Sequence, residues 1–221
     1  MPSNYPLQNV NIAFDPKNLS VIVAGCTDPE CAGYVQVSRI DPATCAVTPV
    51  VKDPTDPPLA PQQAAGAFDP ATNIFVVTVS QAVGKKPVGP VLVSVDMLAG
   101  KVTHSFAQSG TNFSITSLTS AGPGRFLGVI VLPNLSVALA TFDSVRNRAS
   151  LAPAVPGCVQ ALPGLSALER RADGDVFFFL TQDSATGGVR VIGVFAANGT
   201  LASAGALPGD VGQSPSALFV L

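Results

Sequence analysis

Apolar residues along this chain come in short runs of about five to seven, each closed by Asp, Asn, Pro or Gly. Residues 19–24 (Leu-Ser-Val-Ile-Val-Ala), 74–79 (Ile-Phe-Val-Val-Thr-Val), 126–132 (Phe-Leu-Gly-Val-Ile-Val-Leu) and 176–180 (Val-Phe-Phe-Phe-Leu) are the clearest. They are too short for core helices and show no 3.6-residue spacing, while the turn residues between them suit hairpins. The reading is four groups of four strands. The first group holds residues 10–14, 19–24, 34–40 and 46–51, and the second 64–68, 74–80, 90–95 and 101–107. The third holds 114–119, 126–132, 136–142 and 149–155, and the fourth 166–170, 176–181, 189–195 and 201–206. In each group the second and third runs are nearly continuous in apolar character, the mark of strands covered on both faces. Residues 161–171 admit one short helical turn at most, and the Pro-rich stretch 52–63 reads as an extended linker.

The groups repeat. Ala13-Phe14-Asp15-Pro16 returns as Ala67-Phe68-Asp69-Pro70, and both lead into an apolar run and then a third run ending in Asp41 or Asp96. A repeat of about 50 residues built only from short strands indicates one supersecondary unit stacked on its neighbours. The third-to-fourth strand turns share a further pattern, Ile40-Asp41-Pro42-Ala43-Thr44-Cys45-Ala46-Val47 and Val95-Asp96-Met97-Leu98-Ala99-Gly100-Lys101-Val102. Phe142-Asp143 and residues 195–200 echo it. Together these stretches resemble the β-propeller repeats of the YVTN, quinoprotein-like and NHL groups. The resemblance implies an all-β, propeller-like domain over residues 1–221 with four to five blades, approximately 7–52, 62–108, 112–156 and 164–208. A two-sheet β-sandwich is the alternative. An extra strand at 214–221 is left over, and its Ser216, Ala217, Leu218, Phe219, Val220 and Leu221 are candidates for assembly by strand addition to a neighbour's sheet edge.

Charge changes the picture by its scarcity. Only 12% of the 221 residues are charged and the net charge is -2, which argues against nucleic acid or anionic lipid as a partner. The apolar runs are strand-sized, well short of the ~20 residues a spanning helix needs, so no transmembrane segment is expected. Such a surface must be dressed by neutral polar residues, by glycan or by a partner protein.

Residues 1–6 carry no basic or apolar leader pattern, leaving a cytoplasmic chain or a mature start. Four Asn-x-Ser/Thr sequons, at Asn18, Asn112, Asn134 and Asn198, favour a secreted or extracellular glycoprotein. So does Cys26-Thr27-Asp28-Pro29-Glu30-Cys31, where two cysteines flank a four-residue hairpin turn and suit a disulfide. Cys45 and Cys158 fall on opposite ends of the strands, so they are not expected to bond to each other.

Candidate chemistry is thin. His104 is the single His, and Glu30 and Glu169 are the two Glu residues. Asp15, Asp41, Asp69, Asp96 and Asp143 recur at equivalent turns, where side-chain bonds to backbone amides explain them better than catalysis or a cation. The lysines Lys85-Lys86 and the arginines Arg146, Arg148, Arg170 and Arg171 read as solvated loop charges. The resemblance to lactonase-type propellers implies a divalent cation held by Glu, Asn and Asp, for which Glu169 alone is placed. Sugar-binding and quinone-binding propellers rely on Trp or Tyr, and this chain has no Trp and only two Tyr. No catalytic set, metal site or cofactor pattern is assigned. The leading expectation is a non-enzymatic interaction or self-assembly scaffold, with a lactonase-like hydrolase and a carbohydrate binder as alternatives.

Overall fold

The computed structural model describes residues 11–26, 35–52, 59–83, 86–107, 114–161, 169–170, 176–183, 185–186, 188–195 and 201–206. These form seventeen strands, and no helix occurs among the described residues. The strands build four separate antiparallel sheets, each an up-and-down meander. A two-sheet sandwich does not describe this arrangement.

The first sheet runs β1 (Asn11–Asp15), β2 (Ser20–Cys26), β3 (Val35–Ile40) and β4 (Val47–Lys52). The second runs β5 (Leu59–Asp69), β6 (Ile74–Val83), β7 (Lys86–Asp96) and β8 (Lys101–Ala107). The third runs β9 (Ser114–Gly122), β10 (Arg125–Val131), β11 (Val137–Asp143) and β12 (Arg148–Leu151). In the fourth, β13 (Cys158–Ala161), β15 (Val176–Asp183), β16 (Val189–Phe195) and β17 (Leu201–Ala206) lie in that order. The short β14 (Glu169–Arg170) also pairs with β15.

The expected strand groups are therefore present, with three differences: residues 59–63, read as extended linker, open β5 and pair from Leu59 to Pro61 with β6, the last strand of the third group stops at Leu151, and the start of the fourth group is shifted. The opening strand there is Cys158–Ala161, in a stretch read as connector, and only two residues of the expected 166–170 strand pair. Cys-Val-Gln-Ala is a short sequence with one strongly apolar residue, and pairing with Gln182 and its neighbours, not its own pattern, makes it a strand.

The chain divides into two compact units, one built on the first and second sheets and the other on the third and fourth. In the first unit, Ile22, Ala24, Val37 and Val51 of the first sheet pack with Phe68, Phe75, Val77, Val93 and Val95 of the second. Each fully buried side chain of this size stabilises the fold by roughly 1.5–3 kcal/mol. The opposite face of the second sheet is buried as well, at Val76, Thr78 and Ser94. That explains why its strands carry no alternation. In the second unit, Leu127, Val129, Val137 and Leu139 of the third sheet pack with Ile192 and Val194 of the fourth.

Candidate functional site

The repeated aspartates are the first candidates, and the structure gives them one shared task. Asp15 Oδ1 accepts the amides of Lys17 and Asn18 at 3.1 and 3.2 Å, and Asp41 Oδ1 accepts the amide of Ala43 at 2.8 Å. Asp69 accepts from Ala71, Asp96 from Leu98 and Ala99, and Asp143 from Val145 and Arg146. In all five turns the residue four places on has positive φ: Leu19, Cys45, Asn73, Gly100 and Asn147. An Asx bond opens each turn and a left-handed residue closes it, so the strands leave in register. The structural reading of these carboxylates holds.

Four of the five do more: Asp15, Asp41, Asp69 and Asp143 also meet side chains. Asp15 is buried, and its second oxygen accepts from Asn18 Nδ2 at 2.8 Å and pairs with the guanidinium of Arg39. Arg39 also donates to Ser20 Oγ at 3.0 Å and lies 5.9 Å from the centroid of the Phe68 ring. Burial pushes the Asp15 carboxyl up, but the bonds from Arg39 and Asn18 outweigh it and hold the group below its usual range. Asp69 bonds Thr72 Oγ1 at 2.6 Å and the amide of Gly124 at 2.6 Å. Exposed Asp41 is also held low, chiefly by the Thr44 hydroxyl at 2.7 Å.

A second candidate lies on the outer face of the first sheet. Register places Phe14 opposite Val21, Val21 opposite Ile40, and Ile40 opposite Val47. Directly opposed residues share a face, so these four make one apolar row across the whole sheet. Phe14 and Val47 are 55% and 57% exposed, and Ile12, on the same face, is 62% exposed. The second sheet has the same row at equivalent repeat positions, Phe68–Phe75–Val95–Val102. There it is packed against the first sheet's inner face, and Phe68 is only 7% exposed. The second sheet's row thus seats on the first sheet, whereas the first sheet's own copy of the row is open at its Phe14 and Val47 ends.

The third candidate is an open depression of about 430 Å³ at the β11–β12 end of the third sheet. Its lining includes Arg125, Arg146 and Arg148 around Asp143, with Thr141 and Ser150 beside them. Arg125 and Arg148 each lie directly across from Asp143, which puts three strands' charged residues in one row. Arg148 therefore stands in a strand and not in a solvated loop. Sequence reading missed this cluster because 23 positions separate its outer arginines and only register joins them; the signal was that both sit at the ends of apolar runs.

The remaining predicted residues are placed as follows. Asn18 and Asn134 are exposed in turns, whereas Asn112 and Asn198 lie outside the described residues. Cys26 ends β2 opposite Val35, but Cys31 lies outside the described residues, as do Ser216, Ala217, Leu218, Phe219, Val220 and Leu221. Cys45 is free and exposed. His104 lies in β8 opposite Ser94, and Glu169 in β14 opposite Phe178. Among the described residues no three His, Cys, Asp or Glu gather in a metal-holding group, and no helix is long and apolar enough to cross a membrane.

No protein-family model matches the chain, and no curated protein matches it in sequence. Solved structures do match in shape. TolB from Acinetobacter baumannii superposes with a TM-score of 0.55 at 11% identity, over 86% of this chain and 42% of its own. The exo-beta-1,3-galactanase Pc1,3Gal43A from Phanerochaete chrysosporium, with bound beta-1,3-galactotriose, gives 0.57 at 8% identity, over 91% and 50%. The SapL1 lectin, with alpha methyl fucoside, gives 0.53 at 16% identity, over 94% and 65%. The chain spans about half the length of the first two and two thirds of the third. All three are β-propeller folds of different function, and at such identities the likeness concerns fold alone. What it shows is an all-β chain with a propeller-type arrangement of four-stranded sheets.

Proposed function

We propose that this chain is a non-enzymatic, secreted or surface-exposed propeller-type scaffold that works by binding a second copy of itself. The observation that carries this reading is the Phe14–Val21–Ile40–Val47 row, exposed at its Phe14 and Val47 ends and half-buried between them. Its counterpart in the next repeat is buried under a sheet of the same chain, so the surface that suits it is another such sheet. The face that receives Phe68 is lined by Ile22, Ala24 and Val37 and is filled within each copy, so a second copy would meet the Phe14 row with another apolar sheet face. Contact of one row with a different face is heterologous, and such contacts close into rings or continue as filaments. The lean charge of the chain fits a surface that is covered in use. A terminal strand at 216–221 is the other route to the same end, through edge pairing in place of face packing.

Sedimentation velocity over a hundredfold concentration range tests this. The full chain is expected to self-associate, Phe14→Ser with Val47→Ser to lose most of that association, and a form lacking 214–221 to keep it. Loss on removing 214–221 with no effect of the double substitution moves the contact to the terminal strand. A chain that stays monomeric throughout overturns the scaffold reading.

A further inference from the structure

Sheet-on-sheet packing has the same polarity in each of the two compact units. In the first, the Phe68–Phe75–Val95–Val102 row of the second sheet meets Ile22, Ala24 and Val37 of the first. In the second, Val194 is the last but one residue of β16, as Val95 is of β7. Register sets Val194 opposite Phe177 and Leu201, the same kind of row. Val194 and Ile192 pack with Leu127, Val129 and Leu139 of the third sheet. In both pairs the later sheet offers its row and the earlier sheet receives it.

One face of each kind is left over. The first sheet's own row is exposed at Phe14 and Val47. The fourth sheet has a receiving face, opposite the one that meets the third. There register aligns Val176 with Phe195, Phe178 with Gly193 and Ser203, and Leu180 with Val191. Phe195 is 45% exposed, Val191 is half-buried and Ser203 is exposed. A sheet face that stays in water alternates with the covered one and is polar. Among the described strand residues, these two faces carry one charged position each, both at a margin. Lys52 in β4 lies opposite Gln36, and Glu169 in β14 lies opposite Phe178. Their signs are opposite, so the faces do not repel each other.

We propose that copies of this chain join head to tail, the Phe14–Val21–Ile40–Val47 face of one seating on the Val191–Phe195 face of the next copy's fourth sheet. This geometry rests on the self-association proposed above and names the partner surface. It repeats between copies the packing that each unit uses within itself. Its two sides differ, so the contact is heterologous.

Two complementary blocked chains test it by sedimentation velocity. Phe14→Ser with Val47→Ser blocks the row, and Phe195→Ser with Ser203→Arg blocks the fourth-sheet face. All four positions are exposed, so urea midpoints like that of wild type are expected. Each blocked chain alone is expected to associate about tenfold more weakly or less still. Mixed in equal amounts, they keep one intact pair of faces. A 1:1 complex that grows no larger is expected, because heterologous growth needs both faces on one chain. Ser203→Arg alone, which removes no apolar group, makes the same comparison if the double variant is less stable. Wild-type association in the chain blocked at the fourth sheet, or no complex in the mixture, overturns the head-to-tail geometry and leaves self-association standing. A wild-type chain that stays monomeric overturns both.

Discussion

Phe14 and Phe68 occupy the same place in two copies of one Ala-Phe-Asp-Pro motif, yet Phe14 is 55% exposed and Phe68 7%. The difference is positional. Phe68 packs against the first sheet, whereas Phe14 stands exposed on the edge strand of its own.

Truncating the two should therefore have opposite signatures. Phe68→Ala removes a buried ring and is expected to cost about 3–5 kcal/mol in urea unfolding. Phe14→Ala should change stability by less than about 0.5 kcal/mol while weakening self-association. Equal losses of stability in the two variants would show that the Phe14 row is covered within one chain.

The Asp15–Arg39 pair makes stability depend on pH in a defined direction. The folded carboxyl titrates below its unfolded value. Its contribution is thus complete above the ordinary carboxylate pKa of ~3.9 and is lost as pH falls through the folded value. Arg39→Met, which leaves a buried carboxylate unpaired, should cost about 3 kcal/mol at pH 7. The stability gap between wild type and Asp15→Asn should shrink as pH drops below about 4. A gap constant from pH 7 to 3, measured by urea midpoints, would sink this assignment.

Cys45 closes its turn with φ 57°, where the parallel turn uses Gly100 at φ 63°. A side chain in that region is strained by about 1 kcal/mol or more. Cys45→Gly is expected to raise stability by about 0.5–1 kcal/mol, the relief partly offset by added freedom in the unfolded chain. Gly100→Ala should lower it by about 1–2 kcal/mol, because the new Cβ would sit 3.0 Å from the Val50 carbonyl oxygen. Thermal unfolding of the two variants checks both signs.

The two described sequons differ in how free their amides are. Asn18 Nδ2 donates to buried Asp15, whereas Asn134 uses Oδ1, accepting from the Ser136 amide and hydroxyl at 3.1 and 2.6 Å. Expression through a secretory host should give higher glycan occupancy at Asn134 than at Asn18, read as the mass lost in Asn134→Gln. Higher occupancy at Asn18 would mean that its turn opens before the sheet forms.

The Asp turns were legible because everything they need lies within five residues: an Asx acceptor, the amides it bonds and a left-handed closing position. Most strands were legible for a similar reason, since a doubly covered strand is an apolar run between turn residues. The β13 strand was not, because a four-residue segment becomes a strand only when β15 offers it partners. The arginine row escaped for the same cause, its members joined by register across β10, β11 and β12.

Local chemistry thus determined the all-β class, the repeat, the hairpin turns and the scarcity of catalytic groups. Tertiary structure decided which copy of a repeated row is covered, which aspartate meets Arg39, and which arginines share a depression. Turn formation is a short-range matter of φ angles and nearby hydrogen bonds. Burial and charge proximity depend on what lies across a sheet or between sheets, and identical motifs carry no record of their neighbours.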